Sequence, residues 1–385
     1  MPLRRVTRGN LPGRRHPLWA AADWTAEAPA IHTHRVTGPV SLTPPTFDDI
    51  QRAADAIHHR LPVTPAWSYP ALDALAGCEV VVKHENTQPT GAFKVRGGLA
   101  LAATLTPAHL AAGLVTASTG NHAQSIAYAA RLHGATATIV VPESAPEAKV
   151  AAVRLLGANV VVHGPTMTEA VAKAQELAGR DGMTYVDPGN TPAIIAGHAT
   201  VYLELLTQRP DLEAIYVPIG SGSGAAGACI VRDRLAPDCR IIGVQSSAAP
   251  AAYLSWRAGQ IETAPCLTRH SGLATGRGFE LPQSVIGAGL ADFVIVDDAE
   301  ISDAARVFAH VAHTLAEGAG APQGQGVAGE AGARLGQFSA GQRISGDDHM
   351  IGGHRGSILG VGVRGEQAGA GCGHGAETDV QLFHG

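Results

Sequence analysis

Three groups of residues in this chain have types and spacings that could do chemistry. The first centres on Lys94, in "QPTGAFKVRGG" at residues 88–98. It follows the apolar run "CEVVVKHEN" and precedes "LALAATL", so it stands where a strand gives way to a helix. Gly91 suits a tight turn just before it, and Ala92 and Phe93 supply apolar cover. A helix N-terminus and burial both disfavour the ammonium form, which leaves more of the neutral amine that attacks an aldehyde. A lysine that only snorkels from a helix start fits the spacing equally well. Lysine is scarce: Lys83, Lys94, Lys149 and Lys173 are the four among 28 basic residues. Arginine stays protonated at ordinary pH, so amine-based covalent chemistry has few candidates here.

The second group is "VPIGSGSGAAGACIV", residues 217–231. Gly220, Ser221, Gly222, Ser223 and Gly224 lie between an apolar strand and a helix of small residues. Backbone N–H groups at such a turn converge on an anion, which suits one phosphate. No Gly-Lys-Ser/Thr follows, so it is not a P-loop. Gly222, Gly224 and Gly227 have the spacing of a dinucleotide fingerprint but not its position at the start of a βαβ unit. The third group is "TASTGNHAQSIAYAA", residues 116–130, where Ser118, Thr119, Asn121 and His122 cluster at a strand-to-helix junction. Neutral donors at a helix start suit a carboxylate, and a lone Ser or Thr there would be an ordinary N-cap. An amine nucleophile, a monophosphate cradle and a carboxylate cradle together match pyridoxal 5'-phosphate and an amino-acid substrate. A nucleotide at residues 220–224 would leave Lys94 and residues 118–122 unexplained.

The elements that must position these groups alternate. "EVVVKHE", "GLVTAS", "ATATIVVP", "ANVVVHG", "AIYVPIG", "CRIIGVQ" and "DFVIVD" are short β-branched runs, with helical spacing between them. "TFDDIQRAADAIHHRL" opens with Thr46 as a helix cap. The alternation predicts an α/β fold with parallel-rich sheets flanked by helices. Two such groups fall at about 106–189 and 190–322.

The blocks "KHENTQPTGAFKVRGG", "ASTGNHAQSIAYAARLHG", "IVVPESAPEAKVAAVRLLGANVV", "GSGSGAAG" and "AEGAGAP" resemble, in order from about residue 60 to 322, the threonine/serine dehydratase family of fold-type II pyridoxal phosphate enzymes. The resemblance implies a two-lobed, tryptophan synthase β-like fold. Its large cofactor lobe would comprise 45–105 and 190–322, and its small mobile lobe 106–189. It implies that Lys94 anchors the cofactor covalently, with Phe93 packed beside it. Asn121 would bond the ring's phenolic oxygen, and Gly220, Ser221, Gly222, Ser223 and Gly224 would hold the phosphate. Ser118, Thr119 and His122 would receive the substrate carboxylate. The implied reaction is β-elimination from a β-hydroxy amino acid such as threonine or serine, giving a 2-oxo acid and ammonia. Thr119 takes the place of a serine that acts as second base in racemising relatives. A β-replacement enzyme, a racemase or a catalytically impaired remnant are the alternatives. The family also implies a homodimer.

Departures are local. Ser221 interrupts a run that is often all glycine, and Gln245 replaces a frequent glutamate. After Pro322 the composition changes abruptly: residues 323–385 hold 18 of the chain's 47 glycines, and no lysine or proline. "SILGVGV" is the one apolar run there that could be a buried strand, so a core strand and a partner for the ring nitrogen are expected to be missing. Ser345, in "RISGDD", is a weak candidate for that partner. The change resembles a shift of coding frame. His349, His354 and His374 are scattered in this segment, and no metal site is expected. Residues 1–44 carry five arginines in the first fifteen positions and read as a poorly ordered tail.

The totals set the frame. The chain has 385 residues, 45% hydrophobic and 16% charged, enough for two packed lobes. A net charge of -5 gives no basic footprint for nucleic acid, and no apolar run is long enough to cross a membrane. The five dispersed cysteines favour reduced thiols and a cytoplasmic setting over disulfides or zinc.

Overall fold

The computed structural model describes residues 42–317 and the backbone of residues 361–364. The expectations for the N-terminal tail, except residues 42–44, and for Ser345, His349, His354 and His374 lie outside the described residues. The strands are β1 (Ala66–Ser68), β2 (Glu79–Lys83), β3 (Leu114–Ala117), β4 (Ala137–Val141), β5 (Asn159–Val162), β6 (Thr184–Tyr185), β7 (Ala214–Pro218), β8 (Arg240–Ser246), β9 (Asp292–Val296) and β10 (Val361–Arg364). The helices are α1 (Phe47–Ile57), α2 (Pro70–Ala76), α3 (Lys94–Thr104), α4 (Pro107–Ala112), α5 (Asn121–Leu132), α6 (Glu147–Leu155), α7 (Met167–Asp181), α8 (Pro192–Gln208), α9 (Ser223–Leu235), α10 (Ala251–Ala258), α11 (Glu280–Gly289) and α12 (Asp298–Val311).

Two sheets result. One has the order β5-β4-β3-β6 and is parallel throughout. The other has the order β1-β2-β10-β7-β8-β9, with β7, β8 and β9 parallel and β1 and β10 antiparallel to their neighbours. The parallel-rich α/β class expected from the alternation is therefore the fold, and each apolar run quoted above supplies a strand. Val80, Val81 and Val82 are at most 2% exposed, because helices cover both faces of this sheet.

The glycine-rich segment departs from expectation. Val361–Arg364, from the end of "SILGVGV", fill the position between β2 and β7, with Val361 opposite Val82 on one side and Tyr216 on the other. A core strand was expected to be missing, because a short apolar run in glycine-rich sequence carries little periodicity. In the sheet its backbone groups are paired on both edges.

Helix α3 is the spine of the molecule. Val95 to Ala102 are all buried, between α5 on one side and α8 on the other. Glycine makes both crossings close. A Cβ on Gly98 would lie 2.6 Å from the Ser125 carbonyl oxygen, and one on Gly197 would lie 2.5 Å from the Arg96 carbonyl oxygen. Lys94 is the first residue of this helix. At its outer end α1 is fixed by a capping box, with the Thr46 hydroxyl accepting from Asp49 N and the Asp49 carboxylate accepting from Thr46 N.

Candidate active site

The turn before Lys94 closes as its residues dictate. Gly91 N–H donates to the Gln88 carbonyl at 2.7 Å, and Gly91 itself has φ +65°. Two residues into α3, Arg96 fixes the helix from within. Its guanidinium donates to Glu85 and Glu204, and to the Thr200 hydroxyl at 3.1 Å. Lys83 completes the network, donating to Glu204 at 2.7 Å and to the Thr64 carbonyl at 2.8 Å. Burial works against both cations, but for Arg96 the two carboxylates outweigh it and its pKa is raised.

Hydrogen bonds set Lys94 apart from the other three lysines. Lys83 is engaged, Lys149 donates to Ser271 and Lys173 pairs with Glu176. Lys94 Nζ has neither a hydrogen bond nor an ion pair among the described residues, and lies 4.7 Å from the Phe93 ring centroid. Part of its surface remains accessible although protein surrounds it deeply. Desolvation is the largest influence on it and lowers its pKa to about 8, with the Glu317 carboxylate opposing that shift.

The glycine–serine turn reaches the same place. Gly222, with φ +87°, is the N-cap of α9, and no side chain caps that helix start. A Cβ on Gly224 would lie 3.5 Å from the Phe93 ring, so one phenyl ring touches both the amine and the loop. A Cβ on Gly220 would lie 2.5 Å from the Gly272 carbonyl oxygen, so that position has no room for a side chain. Ser221 Oγ donates to the Pro188 carbonyl at 3.2 Å and lies 3.2 Å from Ser223 Oγ.

The third cluster divides in two. Ser118, Thr119 and Asn121 are partly open at the junction of β3 and α5, whose N-cap, Gly120, offers no side chain. His122 turns inward and is buried. Its Nε2 lies 3.1 Å from Thr116 Oγ1, and the one Thr116 hydroxyl hydrogen goes to the Val186 carbonyl. The imidazole therefore donates through Nε2–H, and Nδ1 has no partner among the described residues. Burial, reinforced by Lys94, pushes the His122 pKa down to about 3, so the ring is neutral. Asn121 Nδ2 donates to Glu317.

Lys94, Phe93 and residues 220–224 are thus brought together, and Asn121 joins them through Glu317, whose carboxylate acts on Lys94. The residues fit pyridoxal phosphate: a desolvated amine without a partner among the described residues stands one phenyl ring away from a helix start that no side chain caps, that bears two hydroxyls and that has no room for a side chain at Gly220 or Gly222. The match with known proteins agrees. The family model described as "Pyridoxal-phosphate dependent enzyme" matches residues 59–344. The chain belongs to that family. Within it, the chain falls with the threonine/serine dehydratases. It is 35% identical to the L-threonine ammonia-lyase of Thermotoga maritima over 279 residues, 72% of this chain and 69% of that one. It is 37% identical to the biosynthetic L-threonine dehydratase of Pasteurella multocida over 67% of this chain, but spans only 51% of that relative. Among solved structures, maize serine racemase superposes with a TM-score of 0.72 at 31% identity, over 77% of this chain and 90% of that one.

Three residues at this candidate site were not singled out from the sequence. His198 and Tyr202 lie on α8, fully buried. The His198 ring packs on Phe93 with centroids 4.7 Å apart. The only available signal was a lone histidine between Gly197 and Ala199 in the apolar first half of α8. Glu317 lay within the motif "AEGAGAP" without a role of its own.

Proposed function

We propose that this pyridoxal phosphate-dependent lyase converts a β-hydroxy amino acid of the threonine or serine type into a 2-oxo acid and ammonia by β-elimination. The observation that carries the proposal is the desolvated amine of Lys94, without a hydrogen-bond or ion-pair partner among the described residues, against a phenyl ring that also touches the glycine–serine loop. When bound, the cofactor withdraws electrons from Cα, so that its proton can be removed and a β-hydroxyl expelled.

The chain's own residues would do the rest. Lys94 would anchor the cofactor, and its amine would take the Cα proton. Phe93 packs beside the ring. Asn121, whose Nδ2 donates to Glu317, would bond the phenolic oxygen. Gly220 to Gly224 hold the phosphate at the start of α9. Ser118 and Thr119, with the N–H groups at the start of α5, receive the substrate carboxylate. The buried ring of His122 supports that turn through Thr116 and remains neutral beneath it. Residues 106–189 would form the lobe that closes, and residues 45–105 with 190–322 the lobe that holds the cofactor. A cytoplasmic setting fits the free thiols of Cys78, Cys229, Cys239 and Cys266, and the homodimer is what the family resemblance implies.

Likeness to maize serine racemase favours a second activity, weak racemisation with Thr119 as the opposite base. The test is the visible spectrum of wild type beside Lys94→Ala, before and after borohydride, followed by product analysis with threonine and serine. A yellow band in wild type alone, bleached by reduction, with 2-oxo acid and ammonia formed, supports the proposal. A wild type that stays colourless with added cofactor refutes it. Enantiomer without oxo acid would transfer the assignment to a racemase.

A further inference from the structure

Behind the glycine–serine loop lies a polar contact that the proposed reaction does not use. His198 Nδ1 is 3.0 Å from Ser223 Oγ, and both residues are at most 1% exposed. The imidazole is wedged in place. It packs on Phe93, and a Cβ on Gly97 would lie 2.5 Å from its Nε2. Burial, then Lys94 and then His122 hold it well below the ordinary histidine pKa, so it is neutral and adds no charge beside the amine. One helical turn on, the Tyr202 hydroxyl is fully buried and has no partner among the described residues, and it lies 3.4 Å from where a Cβ on Gly224 would sit. Helix α8 therefore presents two polar groups, four residues apart, to the back of the loop.

We propose that His198 is a positioning residue for the phosphate end of the cofactor, holding the Ser223 hydroxyl in the cradle while its ring braces Phe93 beside Lys94. This rests on the reading of residues 220–224 as the phosphate cradle. A serine hydroxyl rotates freely unless a neighbour fixes it; Ser221 Oγ gives its hydrogen to the Pro188 carbonyl and can only accept from Ser223, whereas His198 Nδ1–H donating to Ser223 Oγ would leave the Ser223 hydrogen for the phosphate. A histidine locked between Phe93 and Gly97 supplies that fixed point. Ligand groups bind more tightly when the donors that meet them are pre-oriented.

The test uses the full chain stripped of cofactor and compares pyridoxal phosphate with pyridoxal, which has the same aldehyde and no phosphate. Wild type, His198→Leu, His198→Gln, Ser223→Ala and the His198→Leu/Ser223→Ala double variant are titrated with each, and their melting is followed with and without inorganic phosphate. The proposal expects His198→Leu and Ser223→Ala each to weaken pyridoxal phosphate by about tenfold, the worth of one oriented hydrogen bond to a charged group. Pyridoxal affinity stays level, the double variant is little worse than either single one, and His198→Gln recovers most of the loss. Equal weakening for both ligands, or a lower melting temperature with the phosphate-dependent increment intact, would show a purely structural histidine and overturn the proposal. Fully additive losses in the double variant would overturn it as well. Should His198→Leu fail to fold, His198→Phe, which keeps a ring against Phe93 and removes the contact to Ser223, is compared with Ser223→Ala on the same terms. A wild type that binds both ligands equally would instead refute the phosphate cradle itself.

Discussion

Arg96 and Glu85 meet in a two-pronged ion pair, Nε to Oε2 and Nη2 to Oε1, each at 2.8 Å, with neither side chain more than 1% exposed. The pair joins the segment after β2 to the second residue beyond Lys94, so it fixes where the reactive amine emerges. Removing one partner of such a pair leaves the other buried and unpaired, at a cost of roughly 3–5 kcal/mol. Arg96→Met is therefore expected to lower the urea unfolding midpoint by the equivalent of roughly 3–5 kcal/mol. A shift within the range of ordinary surface substitutions would show that water reaches the network and screens it.

The lowered pKa of Lys94 sets a pH dependence. The neutral amine is the form that reacts, and burial lowers its pKa to about 8. In protein stripped of cofactor, covalent capture of added pyridoxal phosphate is expected to rise with pH along a curve centred near 8. Borohydride trapping across the pH range measures it. A rise centred near the ordinary lysine value would mean that the amine is solvated.

Glu317 gives that curve a handle. Its carboxylate is the influence that opposes the burial of Lys94, by favouring the ammonium. Glu317→Gln removes the charge and retains a side chain able to meet Asn121. The capture curve is then expected to move to lower pH, with Lys94 reactive over a wider range. Movement to higher pH in the same trapping experiment would contradict the geometry.

How much of this was legible beforehand follows from which interactions are local. The strands were readable because each is a β-branched run between turn residues, and the position of Lys94 was readable because Pro89 and Gly91 mark the turn before it. β1 and β6, three and two residues long, are too short to show a period. β10 was weakly visible because its partners, β2 and β7, lie far away in the chain. His198 is one polar residue in the apolar first half of α8, and only the crossing of α8 with α3 and α9 gives it Phe93 and Ser223 as neighbours. His122 was expected among the carboxylate donors by its place in the motif, and its inward turn toward Thr116 depends on β3 and the segment after β6, which sequence spacing does not encode.

The α3–α8 crossing carries the last prediction. A Cβ on Gly197 would lie 2.5 Å from the Arg96 carbonyl oxygen, 2.6 Å from Gly97 Cα and 2.7 Å from Ala100 Cβ. Two of these are backbone atoms in the most buried helix of the molecule and cannot give way singly. Gly197→Ala must therefore push α8 off α3, an overpacking that costs typically 1–3 kcal/mol. It also disturbs the helix that starts at Lys94 and the one that carries His198, so cofactor affinity is expected to fall along with melting temperature. Gly179, on the exposed side of α7, has nothing within 4 Å of its Cβ position. Gly179→Ala is expected to stabilise by about 0.4–1 kcal/mol, because alanine restricts the unfolded chain and favours the helix. Melting curves and cofactor titrations of the two variants side by side check both signs. If Gly197→Ala melted and bound cofactor like wild type, the two helices would have room to slide, and the precise placement of Lys94 could not rest on their contact.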